Sequence, residues 1–340
     1  MGCGTWCSSG ALHSSNERSL HDRALSLRAP MARFRPNPPP TRHGVSASCT
    51  VLPPEVWPSV LDFLIQRFQH ISAHTWCERL ANGDVVDDSG RLITAQSPYE
   101  AGLRIYYYRD LPQETPIPFH EVVLYHDAHL MVVDKPHFLP VMPSGQYLQE
   151  TVLVRLKNKL GLNDIAPIHR IDRDTAGLVM FSLNPATRDA YHALFRERNV
   201  HKTYDAIAPW NAALPWPANG VLRRESRIVE SKHFMQQCEL EGPSNAITDI
   251  RLSEVCGNLA RYELKPVTGQ RHQLRVHMNA LGLPILNDGI YPVLTPEGST
   301  DFAKPLQLLA KSIAFIDPLS SQPCEFVSKR KLQLATMKPD

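Results

Sequence analysis

Near the middle of the chain stands His169-Arg170-Ile171-Asp172-Arg173-Asp174-Thr175-Ala176-Gly177, directly ahead of the apolar segment Leu178-Val179-Met180-Phe181. A histidine, two arginines and two carboxylates fall within six residues. Lone charges beside a buried strand are costly to desolvate unless something pairs with them. A carboxylate held at a pocket mouth, and kept ionised by neighbouring cations, could instead serve as a nucleophile or a general base. Burial raises an aspartate from its ordinary pKa of about 3.9, while a nearby cation lowers it by ~1–3 units, so a reacting aspartate wants an arginine. Continued as a strand, the run puts Asp172 and Arg170 on one face and Arg173 with Ile171 on the other. A surface salt-bridge cluster would use the same residue types. Spacing alone leaves the two readings even.

A second cluster is Thr268-Gly269-Gln270-Arg271-His272-Gln273-Leu274-Arg275-Val276-His277. The spacing predicts a helix over 271–281, capped by Thr268 and closed by Gly282. On such a helix Arg271 and Arg275 share a face without an intervening acid, which is unfavourable unless they meet a phosphate or a carboxylate. A solvated basic face is the plainer reading. His272 and His277 are five apart, the wrong spacing for paired metal ligands on one helical face, and no H-E-x-x-H is present. In Lys202-Thr203-Tyr204, strand alternation projects a cation and an aromatic ring together, as nucleic-acid sites do when they stack a base and hold its phosphate. A strand tyrosine packed in the core is the plainer reading here too.

These clusters need a scaffold. A chain of 340 residues, 43% hydrophobic, can bury about two domains' worth of core. No apolar run reaches the ~18 residues that span a bilayer, which predicts a soluble protein with no membrane partner. Seven scattered cysteines, never spaced C-x-x-C, fit neither a metal ribbon nor a disulfide scaffold and predict a reducing cytoplasm. Residues 1–50 carry a balance of +4 within a net charge of +2, so the remainder sums to −2. Any polyanion site must then be a local cluster rather than a basic body.

Along the chain, Arg-, Ser- and Pro-rich residues 1–55 read as a disordered tail or a start-site extension with translation beginning at Met31. An organelle transit peptide shares that bias. Two short amphipathic helices follow, around Leu61–Phe68 and Trp76–Leu80, then a strand at Ile105–Tyr108 within a 56–111 module, and a linker at 112–118. From residue 119 to about 330, β signals dominate. Hairpin strands 122–124 and 130–133 precede a helix over 150–160 and another opened by Asn184-Pro185. Strands at 200–207, 246–255, 259–264 and 306–315 complete the pattern. Short hairpin links favour antiparallel pairing, hence an α+β fold.

In their order, H-R-I-D-R-D-T-A-G, Lys202-Thr203-Tyr204-Asp205-Ala206, T-G-Q-R-H-Q-L-R-V-H and Leu281 to Asp288 together resemble the RluA-type family of pseudouridine synthases. Asp134-Lys135-Pro136 resembles the family's opening segment and Leu306 to Ala310 its last strand, so the resemblance covers roughly 119–318. Ala176, Gln270 and Arg271 stand where serine, arginine and threonine are common, and segment 137–145 departs more. Residues 57–110 resemble an S4-like RNA-binding module through Leu61-Asp62-Phe63-Leu64, Ile71-Ser72, Gly83-Asp84-Val85 and Gly102. Val60 and Ala73 replace the arginines usual there.

The resemblance implies a mixed, mostly antiparallel sheet with a central cleft, and an isomerase that detaches uracil from ribose and rejoins it through carbon 5. It implies no cofactor and no metal. Asp172 maps to the essential aspartate, as nucleophile or base; Arg275 maps to its arginine partner and Tyr204 to the ring that stacks on a flipped-out uracil. Arg170, Arg173, Lys202, Arg271 and His272 are the expected RNA contacts. A monomer acting on large-subunit ribosomal RNA is expected, transfer RNA being the alternative. A rival of another class is a metal-dependent phosphohydrolase read from Asp172-Arg173-Asp174-Thr175, whose threonine falls one place early for D-x-D-x-T. A non-catalytic RNA-binding factor is another.

Overall fold

A computed structural model describes residues 39–69, 71–109, 114–233, 235–296 and 300–334. The expected tail through residue 38, with Met31, and residues 112–113 of the expected linker lie outside the described residues.

Strand β1 (Ser48–Val51), helices α1 (Val60–Arg67) and α2 (Ala73–Ala81), and strands β2 (Val85–Asp87) and β3 (Arg104–Tyr107) form the first module. Each helix starts where a serine caps it: Ser59 accepts from the Asp62 amide and Ser72 from that of Thr75. The sheet order is β1-β3-β2, and Phe63, Leu64, Trp76, Val85 and Ile105 belong to a core of the module's own. Ser48–Val51 therefore corrects the expected tail boundary at 55. Composition hid a four-residue edge strand whose partner, β3, lies more than fifty residues away. The described part of the expected linker is also tied down: Glu114 accepts the amides of Leu148, Gln149 and Glu150, and Ile117 is buried.

The larger part runs β4 (Val122–His126), β5 (Leu130–Lys135), α3 (Val152–Leu160), β6 (Ala166–Pro167), β7 (Ala176–Ser182), α4 (Arg188–Arg196), β8 (Val200–Pro209), β9 (Val221–Glu230), β10 (Gln237–Leu240), β11 (Ala246–Cys256), β12 (Leu259–Pro266), α5 (Gln273–Ala280), β13 (Leu308–Ile316) and β14 (Pro323–Val327). Nine strands follow the order β10-β9-β11-β12-β8-β13-β7-β5-β4, with β14 on β13 and β6 on β7. Among the described residues β13 and β7 pair parallel and the other pairs are antiparallel, so the α+β expectation holds. Helices α3 and α5 cover apolar clusters centred on β5/β7 and on β8/β12.

The β7–β13 join explains one motif residue. Gly177 pairs with Ala310 at φ +108°, and a Cβ there would meet the Ala310 carbonyl oxygen at 2.2 Å. Two strands that carry the site's walls can approach this closely only if residue 177 has no side chain.

Candidate active site

Asp172 lies in a loop between β6 and β7, so strand alternation does not govern its neighbours and the expected face-sharing of Arg170 and Asp172 is corrected. The loop is held from beneath. Lys135, fully buried, donates from Nζ to the carbonyls of Pro136, Leu139 and Arg173 at 2.9, 2.8 and 2.8 Å. Burial lowers its pKa to about 7 against the pull of Asp174 and Asp172; three carbonyls facing three N–H bonds match the ammonium form. His137 Nδ1 meets the Asp174 carbonyl at 2.7 Å. His169 accepts the Met180 amide at Nε2 and stacks on Phe195, and burial, with Lys202 nearby, drops it to about 3. It is a neutral structural member of the loop.

Helix α5 arrives from the opposite side, beginning at Gln273 rather than Arg271. Thr268 does not cap it. Its hydroxyl donates to Gln273 Oε1 at 2.7 Å and accepts the Ile247 amide, while Gln273 Nε2 donates to the Ile247 carbonyl and to Thr248 Oγ1. A buried glutamine amide thus winds the 268–272 loop around itself and holds it on β11. His272 ends that loop with φ +56°, in the left-handed region, a conformation costing on the order of 1 kcal/mol for a residue with a Cβ. His277, one turn after Gln273, bonds Thr248 and Ser226, and burial lowers it to about 4. Residues 273 and 277 face the sheet, and Arg275 points the other way into the pocket.

The two segments meet at Arg275. Its Nη1 donates to Asp172 Oδ2 at 3.1 Å; Nε and Nη2 donate to Asp288 Oδ2 and Oδ1 at 2.8 and 2.6 Å. The arginine is 2% exposed and Asp288 fully buried, whereas Asp172 keeps 28% of its side chain open to the pocket. One guanidinium therefore joins a sealed carboxylate to an accessible one. Burial tends to raise the Asp172 carboxyl, but His272 and Arg275 pull it below its ordinary value. Burial also lowers His272 to about 4, so at neutral pH Arg275, bonded to the carboxylate, is the chief cation that holds Asp172 ionised, with the buried Lys135 behind it. The arginine's own pKa is raised, its burial outweighed by Asp288 and Asp172.

Around this pair opens a cavity of about 410 Å³, lined by Asp172, Arg275, Tyr204, His272, Lys202 and Arg170 among others, large enough for a nucleotide-sized group. Burial, with Asp172 alongside, raises the Tyr204 phenol, which keeps it a neutral ring. Six of the expected site residues thus converge. Two do not. Arg173 bonds Asp174 at 2.9 Å beside the Tyr147 ring, and Arg271 lies 3.6 Å from Glu230, ahead of the helix rather than one turn below Arg275. The expected pair of adjacent guanidiniums is therefore corrected, because Gln273 captures the loop before helical periodicity begins. Sequence reasoning gave Asp288 no role, although a carboxylate ending Leu281-Gly282-Leu283-Pro284-Ile285-Leu286-Asn287 was a signal. Arg198 was missed too; it turns from α4 into β8 at φ +62° and lines the same cavity.

Residues 129–280 match the family described as RNA pseudouridylate synthase. The dual-specificity RNA pseudouridine synthase RluA of Salmonella typhimurium is 34% identical over 199 residues, 58% of this chain and 87% of that protein. The chain belongs to the RluA-type pseudouridine synthase family. It is accordingly an RNA-modifying isomerase, and the phosphohydrolase reading is not favoured. An uncharacterized RNA pseudouridine synthase of Synechocystis is 28% identical over 68% of this chain and 79% of that protein. A mitochondrial tRNA pseudouridine(32) synthase of Saccharomyces cerevisiae is 29% identical over 68% of this chain, but only half of the yeast protein is covered. A human RNA pseudouridylate synthase domain protein shares the fold of this synthase, with a TM-score of 0.51, 22% identity, and coverage of 64% of this chain and 86% of that one.

Among the described residues, no group of three or more His, Cys, Asp or Glu could hold a metal ion, and no helix is long and apolar enough to cross a membrane. Cys49, Cys77, Cys238, Cys256 and Cys324 are free thiols.

Proposed function

We propose that Asp172 is the reacting carboxylate of this synthase, acting on the ribose carbon of a uridine that has been flipped out of its RNA into the cavity. The observation that carries the reading is the bond from Arg275 to Asp172: an accessible carboxylate kept ionised by an arginine that Asp288 fixes from behind. A flipped uracil needs an apolar face to offset its unstacking, of a few kcal/mol, and Tyr204 offers a neutral ring within the same cavity. Arg170, Arg198 and Lys202 line the cavity. Among the described residues no ion pair to a carboxylate joins them, which suits them to RNA phosphates. We also read residues 48–108 as an S4-like module. Four arginines against seven carboxylates over those residues leave the module to bind RNA through shape and local contacts rather than bulk charge.

For the substrate we take large-subunit ribosomal RNA first, on the resemblance to the family. Transfer RNA is the second reading, carried by the name of the yeast relative. One experiment addresses both points. Pseudouridines are mapped in ribosomal and transfer RNA from cells with the wild-type gene, without it, and with Asp172→Asn. Sites absent from both the null and the Asp172→Asn cells identify the target and support the aspartate. Modification at the wild-type level with Asp172→Asn sinks the assignment of that residue.

A further inference from the structure

The ring of His272 is placed with more care than a wall residue needs. Its Nδ1 lies 3.1 Å from Tyr291 Oη and its Nε2 lies 3.9 Å from Asp172 Oδ2, while the side chain is 8% exposed. Tyr291 is buried and meets His272 edge to face, with ring centroids 5.8 Å apart at 89°. The phenol oxygen also accepts the backbone N–H of Gln237 at 2.7 Å. A backbone amide can only donate, so the phenolic proton is left to find an acceptor. Among the described residues, the one within reach is His272 Nδ1. An imidazole that accepts at Nδ1 carries its own proton on Nε2. That N–H points at the cavity beside Asp172.

We infer that Tyr291 and His272 form a dyad that fixes the imidazole as its neutral Nε2–H tautomer and aims this donor at the negative charge that develops on the detaching uracil. The inference rests on the reading of Asp172 as the carboxylate acting at the ribose carbon. When the bond from that carbon to uracil N1 breaks, both electrons leave with the base and spread over N1 and its carbonyl oxygens. The new bond then forms from the same ribose carbon to uracil C5, C5 gives up its proton, and N1 regains one, so the step consumes no other reactant. Whether Asp172 attacks that carbon or takes a proton from the ribose carbon beside it, the departing base begins within two bonds of the carbon on which it acts. A donor within 3.9 Å of the carboxylate is therefore placed to reach the base. The dyad donates a hydrogen bond without surrendering its proton. A donor fixed before the reaction, in a site shielded from water, stabilises developing charge without reorganising.

The groups facing the ring are consistent with a neutral donor. Asp172 and Asp288 favour its protonation; Arg275 and Arg271 oppose it, and burial outweighs the acids. His272 is thus a directed N–H rather than a base, and Tyr291 is a positioning residue that acts through it. Lys135, His169 and His277 are buried as well, but the hydrogen bonds each makes place it in the scaffold.

The test begins on the free enzyme, where it does not depend on Asp172. In protein labelled with 15N-histidine, the long-range proton–nitrogen spectrum should show His272, assigned by its loss in His272→Gln, protonated at Nε2 and bare at Nδ1. Tyr291→Phe should mix the tautomers. A resonance protonated at Nδ1 in the wild type overturns the dyad. Single-turnover rates on an RNA containing the target uridine then test the function. His272→Leu should slow the chemical step about 10²-fold, with RNA affinity unchanged. His272→Gln, whose amide nitrogen can occupy the Nε2 position, should recover at least tenfold of that loss. If His272→Leu does not fold, Tyr291→Phe carries the same test, its rate falling with RNA affinity kept. A wild-type rate in the leucine variant, or in the phenylalanine variant where that one stands in for it, overturns the inference. Asp172→Asn, run alongside, separates the two readings: activity retained there removes the aspartate's role, while the tautomer result still stands or falls alone.

Discussion

Asp288 offers a demanding test of how the site is built. Its Oδ1 accepts from Arg275 Nη2 at 2.6 Å and from the amides of Ile290 and Tyr291 at 2.8 and 3.1 Å, while Oδ2, among the described residues, accepts from Arg275 Nε alone at 2.8 Å. Asp288→Asn is therefore a clean perturbation. The amide oxygen can keep all three bonds at Oδ1, and the amide nitrogen replaces Oδ2, so that N–H faces the Nε–H of Arg275. One charge is lost and one donor is set against another, both in a fully buried place. Removing one partner of a buried pair costs about 3–5 kcal/mol, and the remaining bond to Asp172 puts this case near about 3 kcal/mol. At about 2.1 cal/mol/K per residue over a body of this size, that is a fall of about 5 °C in thermal unfolding. Asp301→Asn, which loses an exposed pair with Lys304, should move stability by no more than about 0.5 kcal/mol. In urea titrations of Asp288→Asn, Arg275→Met and the double variant, the double should be less destabilised than the two singles combined by about 2 kcal/mol. A loss below about 1 kcal/mol in Asp288→Asn, or simple additivity in the cycle, would refute the claim that Arg275 is anchored from behind.

The remaining predictions concern acid, backbone contact and salt. His137, His169, His272 and His277 are each held neutral by burial, at about 4, 3, 4 and 4. Their folded values lie below the unfolded 6.5, so the stability they contribute is complete above that pH and is lost as pH falls toward the folded values. One unit below 6.5, each histidine costs about 1.4 kcal/mol. Urea unfolding should therefore show stability falling by several kcal/mol between pH 8 and pH 5.5, before the carboxylates titrate, and a flat profile would contradict their neutrality. Gly177→Ala should cost at least about 3 kcal/mol or abolish soluble expression, because its Cβ would collide with the Ala310 carbonyl; a stable, active variant would show that β7 and β13 are not so closely joined. Arg198→Ala and Lys202→Ala should each reduce the slope of log affinity against log salt for RNA by about 0.7, and Arg271→Ala, outside the cavity, should leave it unchanged. Equal slopes in all three would remove the distinction between cavity and rim cations.

Much of the scaffold was legible because its signals are local. Apolar periodicity sufficed to find helices α1, α2 and α3, while their caps at Ser59, Ser72 and Thr151 emerge only in the structure. Strand β7 is buried along its whole length and read as a continuous apolar run. Strand β9, Val221–Glu230, was missed because both of its faces are partly open, and Leu-Arg-Arg-Glu-Ser-Arg carries no apolar alternation. Strand β1 was missed for a different reason: its pairing partner is far off in the chain.

By itself the sequence determined the chemistry's ingredients: an aspartate crowded by cations, a ring beside a lysine, and an arginine in a histidine-flanked segment, in an order that one family shares. Residue types and their order are enough for that, since they require no knowledge of distance. Which charges meet was decided only by the tertiary structure. Asp172 and Arg275 stand 103 residues apart in sequence yet lie 3.1 Å apart across the cavity. Arg173 and Arg271, equally promising on paper, turn toward Asp174 and Glu230. The reason is physical. Ion pairing depends on separation and burial, and both are set by how the 168–175 loop and α5 are held: the loop by Lys135, the helix by Gln273 on β11. No local pattern records either.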